Sequence, residues 1–176
     1  QDGIRVFTRY ALSTNVNNPD TFVLQGAKII NVRGRSIKTQ TENGIIDGVQ
    51  CYRTTAAAGS TPLTQNADIE IQSGGCTITN VEFQYVDYTA FRMIRVIEAN
   101  ADVNPHSDHI ISNIRAVVSG TRVPATVILI TGDGLDAAST YGVTVSNVNY
   151  KGTATPTYMI AAGALGAGDT SITIAA

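Results

Sequence analysis

Ile78-Thr79-Asn80-Val81, Ile111-Ser112-Asn113-Ile114 and Val145-Ser146-Asn147-Val148 are three copies of one pattern: apolar, any residue, Asn, apolar. Upstream, Ile46-Asp47-Gly48-Val49 and Ile29-Ile30-Asn31-Val32 fit it too, with Gly replacing Asn in the former. From Asn31 through Gly48, Asn80 and Asn113 to Asn147, the third positions fall 17, 32, 33 and 34 residues apart. Asn and Gly are the residues that best tolerate a positive φ, and one left-handed residue bends a strand sharply without a long loop. Five such bends in order predict a repeated corner.

Strand-like segments flank each bend. After it the side chains alternate with period 2: Val81, Phe83 and Tyr85 against Glu82 and Gln84; Val49 and Cys51 against Gln50; Val148 and Tyr150 against Asn149 and Lys151. Before it lies a further strand in each copy: Phe22-Val23-Leu24, Ser36-Ile37-Lys38, Asp68 to Ile71, Met93 to Ile97, Thr126 to Ile130 and Thr157 to Ile160. The pattern predicts an all-β fold, a right-handed parallel β-helix (solenoid) of about six short coils, at roughly 22–34, 35–53, 67–88, 91–119, 125–152 and 157–176. Residues 1–21 are then a lead-in segment and 22–176 the β-helix domain. Parallel stacking puts Ile78, Ile111 and Val145 in one buried column, with Asn80, Asn113 and Asn147 as an amide ladder beside it. A β-sandwich competes on turn spacing but does not explain the recurring bend.

Composition agrees and excludes several classes. Of 176 residues, 43% are hydrophobic and 15% charged, outside the profile of a disordered chain. A formal net charge of -2 argues against a nucleic-acid partner. The apolar runs are strand-sized, well short of the ~18 residues of a membrane-inserted helix. Cys51 and Cys76 have no CxxC spacing and read as small buried thiols. No cofactor motif is present, and no metal is expected. The chain opens on Gln without a signal pattern, which reads as a fragment or processed product.

One corner carries loops of unequal length. It is tight at Thr41-Glu42-Asn43-Gly44 and Gln72-Ser73-Gly74-Gly75, and long at Ala99 to Asp108 and Thr131 to Tyr141. The two long insertions are expected to stack into a ridge; Thr54 to Asn66 falls at a different corner. The late strands are apolar on both faces: Val127-Ile128-Leu129-Ile130, then Tyr158-Met159-Ile160-Ala161-Ala162. If the first alternates in direction, two of its side chains point out of the coil. Val127, Ile128, Leu129, Ile130 and Tyr158 are therefore the expected oligomer interface, an end cap from the same chain being the alternative.

The bend series from Asn31 to Asn147, the Ser/Thr/Asn/Gly-rich composition and the apolar late strands resemble the C-terminal β-helix of bacteriophage tailspike and tail-fibre proteins. The motifs are shared with pectate-lyase-like enzymes and bacterial adhesins. The resemblance covers most of 22–176 and implies a homotrimer on the virion, outside the cell, that attaches to host surface polysaccharide. Many relatives also cleave that polysaccharide as hydrolases or lyases, so a capsule depolymerase with an intersubunit site and a surface adhesin domain are the alternative functions.

The residues assign no catalytic group. His106-Ser107-Asp108-His109, with Asp102 nearby, is the strongest local cluster, since two imidazoles and a carboxylate suit metal binding, proton transfer or ligand contact. With Tyr88, a sugar-stacking candidate, these are the expected ligand-binding residues. Asp108 also reads as a turn cap before Ile110. Glu70 and Glu82, with Asp87 and Glu98 later, supply carboxylates for glycoside hydrolysis, though outward Glu on a solenoid is ordinarily solvated. Arg92 and Arg95, read as outward, are suited to neutralise a uronate or to meet a second subunit. Tyr85 reads as core, and Asp133-Gly134-Leu135-Asp136 as a turn rather than a calcium loop.

Overall fold

A computed structural model describes residues 3–7, 21–32, 34–40, 43–54, 67–72, 75–88, 92–98, 108–122, 124–132, 142–162 and 171–175. The described strands, in chain order, are β1 (Ile4–Phe7), β2 (Val23–Gln25), β3 (Lys28–Ile30), β4 (Ile37–Gln40), β5 (Ile45–Asp47), β6 (Gln50–Thr54), β7 (Ala67–Ile71), β8 (Thr77–Val86), β9 (Arg92–Glu98), β10 (His109–Ser119), β11 (Thr126–Gly132), β12 (Gly142–Gly152), β13 (Tyr158–Ala162) and β14 (Ser171–Ala175). Sheet A runs β1-β4-β7-β9-β11-β13. Sheet B runs β14-β12-β10-β8-β5-β2, with β3 and β6 completing the arm beyond the bend. The strand pairs are parallel, as between β8 and β10 or β7 and β9. The chain alternates between the two sheets as it climbs, which makes the fold a parallel β-solenoid.

The bend works as its chemistry demands. Gly26, Gly48, Asn80, Asn113 and Asn147 have φ of 63°, 64°, 54°, 54° and 50°. The bend also resets the side-chain alternation, which is why Ile78 and Val81, three residues apart, are both buried. Ile46, Ile78, Ile111 and Val145 are in register and form one buried column. Beside it Asn147 Nδ2 donates to Asn113 Oδ1 (2.7 Å), and Asn113 Nδ2 to Asn80 Oδ1 (3.1 Å). Gly48 has no side chain to continue the series. Asn80 Nδ2 donates instead to Asp47 Oδ1 (2.8 Å), and Gln25 Nε2 reaches Asp47 Oδ2 (3.4 Å). The ladder of amides thus ends on a carboxylate.

The early coils are phased differently from the sequence reading. Asn31 has a positive φ of 50° but belongs to another corner: β3 pairs with β6, and Asn31 bonds across to Thr54 through its own side chain. The first member of the bend series is Leu24-Gln25-Gly26-Ala27, since Leu24 pairs with Ile46. Phe22 to Leu24 therefore leads into sheet B, not sheet A, and the spacing to Gly48 is 22 rather than 17 residues. Both corners use a left-handed residue between apolar neighbours, so four letters could not tell them apart. The sheet A strand at this end comes from the lead-in segment, where β1 pairs with β4.

Asn113→Ala should cost about 1–2 kcal/mol in backbone strain, added to the loss of two ladder hydrogen bonds. Asn113→Gly keeps the left-handed backbone and loses only the bonds. Urea denaturation should rank wild type above Gly and Gly above Ala; equal losses in the two variants would show that the bend is not under conformational strain.

Candidate functional site

Alternation places Arg53 inward, two residues beyond Cys51, and stacks it on Tyr85. A guanidinium in a solenoid core needs partners, and the corner between β6 and β7 supplies them. Arg53 Nη2 and Nε form a fork on Asp68 Oδ1 (2.5 Å) and Oδ2 (3.0 Å). Its remaining hydrogens go to Val32 O (2.6 Å), Gly34 O (2.7 Å), Ser36 Oγ (3.2 Å) and Tyr88 Oη (3.5 Å). Asp68 also accepts from Tyr85 Oη (2.8 Å) and the Ser36 N–H (3.1 Å). Burial alone would lower the Arg53 pKa; the Asp68 charge and hydrogen bonds more than reverse that and raise it. Burial, then the Asp68 charge, pushes the Tyr85 hydroxyl up, and the same causes in the same order push up the Cys51 thiol. The charged pair has its hydrogen-bonding capacity taken up by interior groups, so it ties coils together and offers little to a substrate.

Several expected site residues fall inside the protein. Tyr88 is buried, with Arg53 over its ring at 5.4 Å and Tyr85 edge-on at 5.6 Å, so it is not a sugar-stacking platform. Its position just past the left-handed Asp87 turns it back into the corner. His109 is 2% exposed, in register with Val143, and its Nδ1 accepts from the Cys76 N–H (3.3 Å). Burial pushes its pKa down to about 4, against a weaker opposing pull from Asp108, which keeps the imidazole neutral and unavailable as a surface ligand. Asp108 is exposed, and its Oδ1 accepts from the Gly142 N–H (3.0 Å) of the next coil, a bond between coils and not the cap of the turn before Ile110. Asp102 and His106, and Asp133 to Asp136, lie outside the described residues. Strands β9 and β11 pair in sheet A and β10 and β12 in sheet B, while the two long insertions expected to form a ridge lie, but for their ends, outside the described residues. Cys51 and Cys76 are buried free thiols.

The expected interface strand is also revised. Ile128 and Ile130 face the core in register with Ile94 and Val96, and Val127 is 0% exposed within the single chain. Strand β11 begins at a corner, where Val127 and Ile128 are both enclosed, as Met93 and Ile94 are one coil earlier. Simple alternation fails there. Only Leu129 is left half-buried on the outer face, with Tyr158 58% exposed on β13.

What remains for chemistry is on the outside. On sheet A, Arg5, Lys38, Glu70, Arg95, Leu129 and Ala161 form one row in register. Glu70 is outward but only 1% exposed, because Arg35 Nε (3.2 Å) and Arg95 Nη1 (3.7 Å) close over it and Gln72 donates to it. It is not the solvated surface carboxylate its alternation suggests. Arg92 shares the inward phase of Ile94 at the strand start, so Arg92 and Arg95 do not point the same way. On sheet B, Tyr52 is outward and half-buried between Gln50 and Gln84, its neighbours in strand and register. Glu82 receives Gln84 and pairs with Arg115 (3.4 Å). Glu98 is described in backbone only, and Asp87 Oδ1 accepts from the Thr121 N–H (3.2 Å) as a turn residue.

Compared with protein-family models, curated proteins and solved structures, the chain matches none. Among the described residues no group of three or more His, Cys, Asp or Glu is arranged to hold a metal ion. Among the described residues no helix is long and apolar enough to cross a membrane.

Two outcomes test the interior assignments. Arg53→Met leaves Asp68 buried without its cation and should cost about 3–5 kcal/mol; a loss below about 1 kcal/mol, the scale of an exposed pair, would contradict a buried ion pair. For His109 the folded pKa lies below the ordinary 6.5, so the unfolded chain binds the proton more readily. Its contribution to stability is complete above about pH 6.5 and is lost as pH falls towards 4, by roughly 3 kcal/mol. Denaturation midpoints measured between pH 4 and 7 should slope less in His109→Gln, which keeps an acceptor for the Cys76 N–H but does not titrate.

Proposed function

We propose that this chain is a non-enzymatic, polysaccharide-contacting module of a phage tail protein, of the tailspike or tail-fibre kind, working as a homotrimer on the virion. One observation carries the reading. Among the described residues interior bonds take up Asp68, Arg53 and His109, while the outward polar side chains form straight rows along the solenoid axis. Rows repeating every ~4.8 Å on a rigid sheet suit a long, regular polymer better than a small substrate. Tyr52, flanked by Gln50, Gln84 and Glu82, brings an aromatic face beside amide and carboxylate groups, the mix that recognises sugar rings.

The trimer rests on fewer side chains than the sequence implied. Leu129 and Tyr158 are the large apolar groups left for a neighbour to cover on the late strands of sheet A. Fully burying a large apolar side chain is worth ~1.5–3 kcal/mol, and a closed ring counts each contact once per subunit. The resemblance supplies the number three.

Incubation with purified capsule or lipopolysaccharide should retain the chain on the glycan without new reducing ends or unsaturated uronates. Release of either product would replace the binding reading with a depolymerase. Sedimentation equilibrium should give about three times the 18.5 kDa of one chain, falling towards one in Leu129→Asp/Tyr158→Asp. A monomeric unmutated chain would refute the trimer.

A further inference from the structure

We infer that the ligand is a uronate-bearing polysaccharide lying along the axis on the outer face of the sheet B arm beyond the bend, with Tyr52 stacked on a sugar ring and Lys28 holding a carboxylate. The inference rests on the reading above that the ligand is a polysaccharide, and it names the class and the strip that binds it.

The first observation is register. Beyond the bend two outward rows run side by side. One is Lys28, Gln50, Glu82, Arg115 and Asn149. The other, two residues farther along each strand, is Ile30, Tyr52, Gln84, Val117 and Lys151. The positions between them, Ile29, Cys51, Phe83 and Ala116, are buried, so both rows lie on the outside. The first row is polar throughout. The second carries apolar area on Ile30, which is 53% exposed, and on the half-buried Tyr52 and Val117. A pyranose is amphipathic in the same sense: its C–H face is apolar, while hydroxyl and carboxylate groups project from its edge. A ring seated on the second row turns its polar edge to the first. Successive side chains in a row stand ~4.8 Å apart, so an extended glycan running along the axis meets one coil after another.

The second observation is which polar groups of the strip are already engaged. Glu82 accepts from Gln84 and pairs with Arg115 at 3.4 Å. That single contact leaves most of the five Arg115 donors unused, on a side chain 63% exposed. Gln84 keeps its carbonyl oxygen to accept from a sugar hydroxyl. Lys28 and Lys151 are exposed, and among the described residues no hydrogen bond or ion pair holds their side chains or the Tyr52 hydroxyl. Three cations therefore share a strip whose one carboxylate is already paired, in a chain of formal net charge -2. Lys28 stands diagonal to Tyr52 across neighbouring strands, a separation that long side chains span. An unpaired cation beside an aromatic face favours a ring bearing a carboxylate over a neutral one. The C–H face packs on the tyrosine while the carboxylate takes a charge-assisted hydrogen bond from the ammonium.

The test uses the whole chain on a biosensor, with hyaluronan as the uronate-bearing probe, dextran as the neutral one and single-stranded oligothymidine as a nucleic-acid control. Hyaluronan should bind in preference to dextran. Tyr52→Ala should weaken that binding roughly three- to tenfold, the scale of one aromatic contact. Lys28→Glu, which turns an attraction into a repulsion, should weaken it about tenfold. Arg122→Glu is the same charge change at an exposed position outside the strip. At physiological salt, where charges more than about 8 Å apart are largely screened, it should alter binding by less than about twofold. Circular dichroism establishes that the variants are folded; Tyr52→Leu, which keeps the bulk and removes the aromatic face, must also weaken binding if Tyr52→Ala does not fold. Full binding by the folded Tyr52 variant would move the site off this arm, and equal losses from Lys28→Glu and Arg122→Glu would reduce the effect to net charge; either result overturns the inference. Oligothymidine bound as tightly as hyaluronan would overturn the ligand class. Capture of dextran with no preference for hyaluronan would sink this inference and leave the proposed function standing, whereas no retention of dextran, hyaluronan or host glycan would remove both.

Discussion

A left-handed residue recurring at one corner, in coils stacked one strand spacing apart, is the constraint on which the other features of this protein depend. Each of Gly26, Gly48, Asn80, Asn113 and Asn147 turns the chain within a single residue, so the strands on either side need no loop and stay in the same layer as their neighbours above and below. In-register stacking then turns every position of a coil into a column. Apolar inward positions become continuous aliphatic files, such as Ile46, Ile78, Ile111 and Val145. Outward positions become rows, in which any charge or amide meets its own kind one level away. Asparagine resolves that meeting well, because each side chain is both donor and acceptor; Lys and Arg do not.

This explains which parts of the molecule were legible in the sequence. The bend series, the buried column and the amide ladder all follow from a local rule repeated at fixed register, and Asn80, Asn113 and Asn147 announce it directly. The phase of the first coil was not legible, because Asn31 satisfies the same local rule at a different corner, and only pairing with Thr54 rather than with Asn80's ladder distinguishes it. Alternation was a good guide along straight strands and failed where a strand leaves a corner: Val127 and Ile128, or Met93 and Ile94, are buried in succession. Two of the ligand candidates lie inside the protein for a related reason. His109 and Tyr88 were judged by residue type within a loop, whereas the first belongs to the interior file containing Val143 and the second folds back over Arg53. Arg53 itself was readable in hindsight: it continues the inward series Val49, Cys51, and an inward-phased arginine requires a buried acid.

The two acidic residues of β7 divide the roles of inside and outside. Asp68 is held within the corner by Arg53, Tyr85 and Ser36. Glu70, two residues on, is held outside by Arg35 and Arg95. Arg35 lies between Gly34 and Ser36, both of which contact Arg53, so one short segment is bonded to the interior pair and to the exterior one. A surface cation is ordinarily a flexible group whose ordering costs entropy on binding. Arg35 and Arg95 are ordered in advance by a carboxylate whose own strand is anchored from behind.

That coupling also accounts for the change of character along the axis. In the column that contains Arg53, the residues are Arg53 and Tyr85 in the early coils, then Val118 and Gly152. In the outer row of sheet A they are Arg5, Lys38, Glu70 and Arg95, then Leu129 and Ala161. Inside and outside switch from polar to apolar over the same few coils, although the two positions lie in different sheets. Hydrogen bonds and ion pairs impose a particular geometry, while apolar packing tolerates many. The early coils therefore have the more narrowly specified surface and the late coils the more adhesive one. The polar corner around Arg53 is therefore the element that fixes the geometry of the early coils, while the late strands hold together through apolar packing.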